Sequence, residues 1–227
     1  MHTLASMNEN LIHDFSKKKG LAGNLLFSLR HPQSQSHRGF FRHNLQRLGW
    51  ILGNAIAEDW PMKEVEVNTG LGTARCNIPS EQPVLATVMR AGLPMHAGVL
   101  EVWDGADCAF VSAYRKHNSS GGFDIEVEYL GAPSCEGRIL ILVDPMLATG
   151  ASMVSAYKAL CSDGIPRKLH IVCAIASPEG VENAKRELPE GTTFWIGAID
   201  EGLDKNDYIV PGLGDAGDLS YGPKTRS

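Results

Sequence analysis

Between residues 36 and 60 the apolar positions Phe41, Leu45, Leu48, Leu52, Ala55 and Ile56 recur at three- and four-residue steps, which predicts an amphipathic helix stopped by Pro61. The period then changes. Val65 and Val67 alternate with charges, 84–89 reads as a buried strand, 93–102 as a helix, 108–114 as a strand and 125–129 as a half-exposed strand. Residues 139–143 are a continuous apolar run closed by Asp144-Pro145, the pattern of a strand buried on both faces of a parallel sheet. A helix over 151–161, a strand over 169–176, a short helix opened by Pro178 and carrying Val181, Ala184 and Leu188, and a strand over 193–199 continue the alternation. This order specifies an α/β protein with an open, mostly parallel sheet and helices on both faces, whose ligands bind beyond the carboxyl ends of the strands. Arg90, Arg115 and Asp144 are expected at such ends. Residues 1–28 lack a sustained period and read as an N-terminal arm, ordered by a partner subunit or by the body, or else disordered; 29–227 read as a single domain.

Composition narrows the function more than it defines it. A chain of 227 residues, 43% hydrophobic, can bury one large core, and its net charge of −5 gives no general attraction to nucleic acid or anionic membranes. Any affinity for phosphate must therefore be local. The five cysteines contain no Cys-x-x-Cys pair, which fits a reducing cytoplasm, and no apolar stretch is long enough for a signal core or a membrane span, so the protein is expected to be neither exported nor anchored.

The local chemistry begins at Asp144. Thr149, Gly150 and Ser152 carry little bulk, so their amides can approach an anion closely, and the helix that follows directs its positive dipole end to the same place. A carboxylate beside a phosphate is repulsive unless the ligand also supplies hydroxyl donors, as a sugar phosphate does. Asp144 is thus suited to ribose hydroxyls and residues 148–152 to a 5′-phosphate. The plainer reading, Asp144 capping a turn and Thr149 or Ser152 capping a helix, is compatible with that use. Neither the P-loop pattern nor the dinucleotide fingerprint is present.

The stretch Asp144-Pro-Met-Leu-Ala-Thr-Gly150 resembles the phosphoribosyl pyrophosphate (PRPP) loop of type I phosphoribosyltransferases, in the form used by the uracil phosphoribosyltransferase family. Met89-Arg90-Ala91-Gly92-Leu93 resembles the family's pyrophosphate-contacting loop, and 208–218, Tyr-Ile-Val-Pro-Gly-Leu-Gly-Asp-Ala-Gly-Asp, its uracil-reading segment; the match is colinear from about 29 to 222. The resemblance implies the type I fold with a small hood or β-arm, and formation of UMP and pyrophosphate from uracil and PRPP. It implies a donor site of Arg90, Arg115, Asp144, Pro145, Met146, Leu147, Ala148, Thr149, Gly150, Ala151, Ser152 and Asp215, with Arg90, Arg115, Asp144 and Asp215 catalytic. Uracil would be read by Ile209, Gly214, Asp215 and Ala216. Mg2+ would arrive on the donor, near Asp215, with no built-in metal site. The resemblance further implies a homodimer or homotetramer without nucleic-acid or membrane partners.

In the C-terminal segment Pro211, Gly212, Gly214 and Gly217 are expected to exclude regular helix, and Asp218 to secure the turn. Residues 116–124 have hinge composition and read equally as a lid or as a hairpin tip. Ala151 stands where relatives carry a second glycine, Leu219 where many carry Arg, and Lys116-His117 where an acidic residue is usual. Two competing functions remain: an RNA-binding regulator on the same fold, which would need a basic face, and transfer to a purine, which the segment 208–218 opposes.

Overall fold

The computed structural model describes residues 11–117 and 123–224, with backbone alone for 113–117 and 123–127. In chain order the elements are β1 (Ile12–Asp14), α1 (Ala22–Arg30), α2 (Pro32–Gln35), α3 (Arg38–Glu58), β2 (Met62–Thr69), β3 (Gly72–Pro79), β4 (Val84–Met89), α4 (Leu93–Val102), β5 (Asp107–His117), β6 (Phe123–Gly131) and β7 (Ile139–Val143). There follow β8 (Met146–Leu147), α5 (Ala151–Leu160), β9 (Lys168–Ala176), α6 (Pro178–Glu187), β10 (Thr193–Ile199), β11 (Gly202–Leu203), β12 (Ile209–Val210) and α7 (Ala216–Tyr221).

The described residues form a main sheet of order β1-β10-β9-β7-β4-β5-β6, with β8 beside β9. Every neighbour on that path is parallel except β5 with β6. The all-apolar central strand β7 is buried at every position, as its composition requires in a sheet covered on both sides. One face packs under α1, α3 and α4; the other packs under α5 and α6. Residues 12–14 extend the sheet alongside β10, and Phe15, Ala22, Leu25, Leu26 and Leu29 enter the first core. Val65 and Val67 lie in β2, which among the described residues pairs only with β3, in a separate two-stranded hairpin whose side chains are largely exposed on both faces.

The predicted helix over 36–60 forms as α3 and buries Phe41, Leu45, Leu48, Leu52 and Ile56, the stripe its period marked. The same face also buries Gly49 and Gly53. A Cβ at Gly49 would overlap the Met95 carbonyl of α4, and one at Gly98 of α4 would overlap the Gln46 carbonyl of α3. These two helices therefore meet backbone to backbone. Since α4 starts three residues beyond Arg90, this seam fixes the frame behind that residue. Among the described residues no helix is long and apolar enough to cross a membrane.

Gly98→Ala tests the seam, because the added methyl has nowhere to go without moving a backbone. We expect a loss of about 1–3 kcal/mol or more, the usual cost of forced overpacking, read from urea unfolding. An unchanged midpoint would mean the helices can separate freely.

Candidate active site

β4 and β7 are hydrogen-bonded neighbours, so the residues that follow them, Arg90 and Asp144, emerge side by side at the carboxyl edge of the sheet. The cleft above them is lined by these two, by Met146–Gly150, and by Ser152, Asp215 and Lys224. The Met89–Arg90 peptide is cis. Gly92 allows the turn after Arg90 to press against the sheet: a Cβ there would overlap the Thr87 hydroxyl, which donates to the Val143 carbonyl at 3.1 Å.

The loop after Asp144 is shaped from behind by the start of α6. The Ser177 N–H donates to Leu147 O at 3.0 Å, the Ser177 hydroxyl donates to Ala148 O at 2.6 Å, and Asn183 Nδ2 donates to Thr149 O at 2.8 Å. Gly180 permits the approach, since a Cβ on it would overlap the carbonyls of Leu147 and Ala148. With three successive carbonyls engaged on α6, the amides of Thr149, Gly150 and Ser152 meet no protein acceptor among the described residues. Gly150 is the N-cap of α5 at φ 79°, and no side chain at that position caps the helix. The left-handed conformation falls on Gly150; Ala151 has an ordinary negative φ, since Asp207 is the one described non-glycine residue with positive φ. The alanine at 151 is accordingly harmless to the loop. Unpaired amides at a helix N-terminus make an anion site.

Asp144 accepts the Met146 N–H at 3.2 Å. Burial pushes its carboxyl up to about 7; the Met146 bond opposes the shift and the neighbouring Asp215 adds to it. Arg90 donates from Nη2 to Gly222 O at 3.1 Å and lies 3.4 Å from Asp218 Oδ1, while its Nε is buried without a partner.

The segment after β12 is held by residues from both ends of the chain. Asp200 takes two bonds from Arg30, at 2.6 and 2.9 Å, and accepts the Gly212 N–H at 2.9 Å. Gln35 Nε2 donates to Leu29 O and Leu213 O at 2.6 and 2.7 Å. The amides of Gly214 and Ala216 meet no acceptor among the described residues. Regular helix does form here, contrary to expectation: α7 begins at Ala216 with Gly217 in its first turn. Asp215 makes this possible as N-cap, accepting the Asp218 N–H at 2.9 Å, a bond that offsets the glycine's cost. Asp215 therefore secures the turn expected of Asp218, whose own carboxylate faces Arg90.

Arg90, Asp144, Met146–Gly150, Ser152 and Asp215 thus converge on one cleft. Pro145, Ala151, Ile209, Gly214 and Ala216 do not line it; Pro145 O instead receives the amides of Ala174 and Ile175, and Ile209 and Ala216 are buried in the core beside the cleft. Arg115 does not follow a strand end. It sits inside β5 opposite Ile125, because the antiparallel partner β6 carries the ladder past Tyr114. The Arg115 side chain lies outside what is described, as do 118–122 of the hinge-like segment 116–124, whose flanks 116–117 and 123–124 pair with each other in the β5–β6 ladder. Sequence reasoning missed Ser177, Asn183, Arg30, Gln35, Asp200 and Lys224. Asp200 follows β10 as Asp144 follows β7, so the strand-end rule could have found it; Ser177 before Pro178 carries an N-cap signal but nothing that ties it to the loop, and the others carry no local signal.

A family model described as uracil phosphoribosyltransferase matches residues 18–223. The uracil phosphoribosyltransferase of Porphyromonas gingivalis is 45% identical over 204 residues, covering 90% of this chain and 94% of its own. That of Thermococcus gammatolerans is 34% identical over 190 residues, covering 82% and 84%. Among solved structures, the AQ2163 protein from Aquifex aeolicus superposes with a TM-score of 0.82 at 30% identity, covering 94% of this chain and 99% of that one.

The raised carboxyl of Asp144 has a consequence for stability. The folded protein keeps this proton between pH 3.8 and about 7, where the unfolded chain has lost it, so the residue's contribution to stability falls as pH rises through that window. Asp144→Asn keeps an acceptor for Met146 but no charge, and should gain stability relative to the parent between pH 5 and pH 8. Urea midpoints at those two pH values check this; an equal difference at both would remove the shift.

Proposed function

The chain belongs to the uracil phosphoribosyltransferase family, and on that premise we propose how its cleft transfers the 5-phosphoribosyl group of PRPP to N1 of uracil, giving UMP and pyrophosphate. The 5′-phosphate is held by the free amides of Thr149, Gly150 and Ser152 at the start of α5, within the loop Pro145–Ser152. Asp144 accepts from the ribose hydroxyls, an interaction that draws its carboxyl toward the ionised form. Arg90 and Arg115 neutralise charge growing on the departing pyrophosphate, Arg90 exchanging its contacts with Gly222 and Asp218 for phosphoryl oxygens. Uracil is read by backbone groups of Ile209, Gly214 and Ala216 beside Asp215, the scaffold of Arg30, Gln35 and Asp200 keeping that segment rigid. A base presenting one N–H between two carbonyls suits this arrangement, whereas cytosine would leave a buried polar group unpaired. Most of the rate then comes from holding the acceptor nitrogen in line with the anomeric carbon.

Phosphoribosyltransferases generally use Mg2+ with PRPP. Among the described residues no group of three or more His, Cys, Asp and Glu could hold a metal by itself. One exposed carboxylate in the cleft, Asp215, fits a cation that keeps most of its ligands from substrate and water, and would hold it at the pyrophosphate end. When bound, Mg2+ supplies charge neutralisation of the leaving group. We also propose a homodimer or homotetramer in the cytoplasm. Supporting assembly are exposed Leu21, Phe27, Phe40 and Trp50, and a two-stranded hairpin whose side chains are largely exposed among the described residues.

The observation that carries this reading is the meeting of three segments distant in sequence, at Arg90, at 144–152 and at Asp215, in one cleft. Its test is uracil-dependent release of pyrophosphate from PRPP with Mg2+ present, with cytosine and hypoxanthine as comparisons. We expect product with uracil alone. Arg90→Ala should lower kcat/KM for PRPP by about 10²–10³. Ala216→Leu should raise the KM for uracil at least tenfold, by overpacking, while sparing the KM for PRPP. Equal losses toward both substrates in Ala216→Leu would remove that segment from base recognition.

A further inference from the structure

The charge in the cleft points to a residue that no sequence motif marked. Its described lining carries two carboxylates, Asp144 and Asp215, and two cations, Arg90 and Lys224. Once Asp144 is ionised these cancel, and in either state Arg90 is offset by Asp218 at 3.4 Å. Each terminal phosphoryl group of an incoming donor adds about −1.5 to −2 charges at neutral pH. Arg90 therefore needs help, and Lys224 is the lining cation that meets no acceptor among the described residues.

Lys224 is not carried on a loose end. It follows α7 by three residues, on a short strap that begins at Gly222 with φ 89°. The Gly222 N–H donates to Asp218 O at 2.8 Å and Gly222 O accepts from Arg90 at 3.1 Å. Arg42 donates to Ser220 O at 2.6 Å and stands over the Tyr221 ring at 5.7 Å. Arg38 closes against Gly222, its guanidinium carbon 3.2 Å from where a Cβ would stand. Arg90 and Arg38 thus seat the strap that brings Lys224 to the cleft, and Arg42 holds the end of α7 before it.

We infer that Lys224 is a further binding residue of the known reaction: its ammonium contacts the pyrophosphate end of the donor, and the free pyrophosphate product, next to Arg90. This rests on the reading of the cleft as the donor site. An ammonium suits the role, being a point charge on a long stem that can follow the phosphoryl oxygens as the leaving group departs. The strap would also link the two cations, because Arg90 releases Gly222 O when it turns to the ligand.

Lys224→Met and Lys224→Arg separate charge from packing, with Arg90→Ala as the control on the cleft itself. Steady-state kinetics give KM for PRPP and for uracil, and calorimetry with Mg2+ and inorganic pyrophosphate gives a binding constant independent of turnover. Loss of one charge-assisted contact should raise the KM for PRPP and the Kd for pyrophosphate in parallel, each about tenfold, in Lys224→Met. The uracil KM should hold, and Lys224→Arg should return both constants to within about threefold of the parent. If Lys224→Met leaves both constants unchanged while Arg90→Ala weakens both, the assignment of Lys224 fails and the donor site stands. If Lys224→Met and Lys224→Arg lose equally, the residue serves the strap and not the ligand, and the inference is overturned. Unchanged pyrophosphate binding in Arg90→Ala would sink the donor site itself.

Discussion

Three consecutive carbonyls, those of Leu147, Ala148 and Thr149, are taken up by the start of α6, and the cleft depends on that attachment. A short loop facing an anion must turn its oxygens away, because a C=O directed at a phosphoryl group repels it as strongly as an N–H attracts it. Here the turn is enforced from outside the loop: by the Ser177 amide and hydroxyl, by the Asn183 amide, and by a bare Gly180 that lets α6 come close. Ser177 is fully buried and also caps α6 by accepting the Gly180 N–H at 2.8 Å, so one hydroxyl fixes both the helix start and the loop it supports. Left-handed Gly150 then passes the chain into α5 with its first amides unclaimed.

Electrostatics acts on the same few residues. A carboxyl held near 7 places less than a full negative charge beside the unpaired amides of the loop at neutral pH. In the proposed function, donation from ribose hydroxyls would favour the ionised form of Asp144 against the burial that disfavours it. Arg90 follows a parallel course. In the free protein its charge is divided between Asp218 and the Gly222 carbonyl, with Nε buried and unsatisfied. A buried, unpartnered donor on a guanidinium is a standing cost that a phosphoryl ligand can relieve.

The sheet and its helices were legible because burial on two faces leaves continuous apolar runs, as in 139–143, and burial on one leaves a 3.6-residue stripe, as in α3. Periodicity does not name a strand's partner. The isolation of β2 with β3, and the continuation of β5 through Arg115 along β6, therefore lay beyond local sequence. Gly217 suggested no helix because a glycine's cost is local, whereas the cap at Asp215 that overcomes it is a relation between residues. In the site, the parts legible in advance were contiguous: the loop 144–152 and the turn at Arg90. The supports were not. Arg30 reaches Asp200 across 170 positions and Gln35 reaches Leu213 across 178, separations at which spacing carries no information without the fold.

The glycine seam between α3 and α4 bears on how such a protein can change over time. Where helices touch through their main chains, their separation is set by peptide dimensions, which no substitution alters, and not by side-chain volumes, which drift. Exchanges among leucine, isoleucine and methionine in the core on either side usually cost under about 1.5 kcal/mol, and they leave this main-chain spacing as the fixed reference for the arginine at the end of β4. Adaptation to a warmer or colder habitat should accordingly accumulate in the flanking layers and leave this joint untouched.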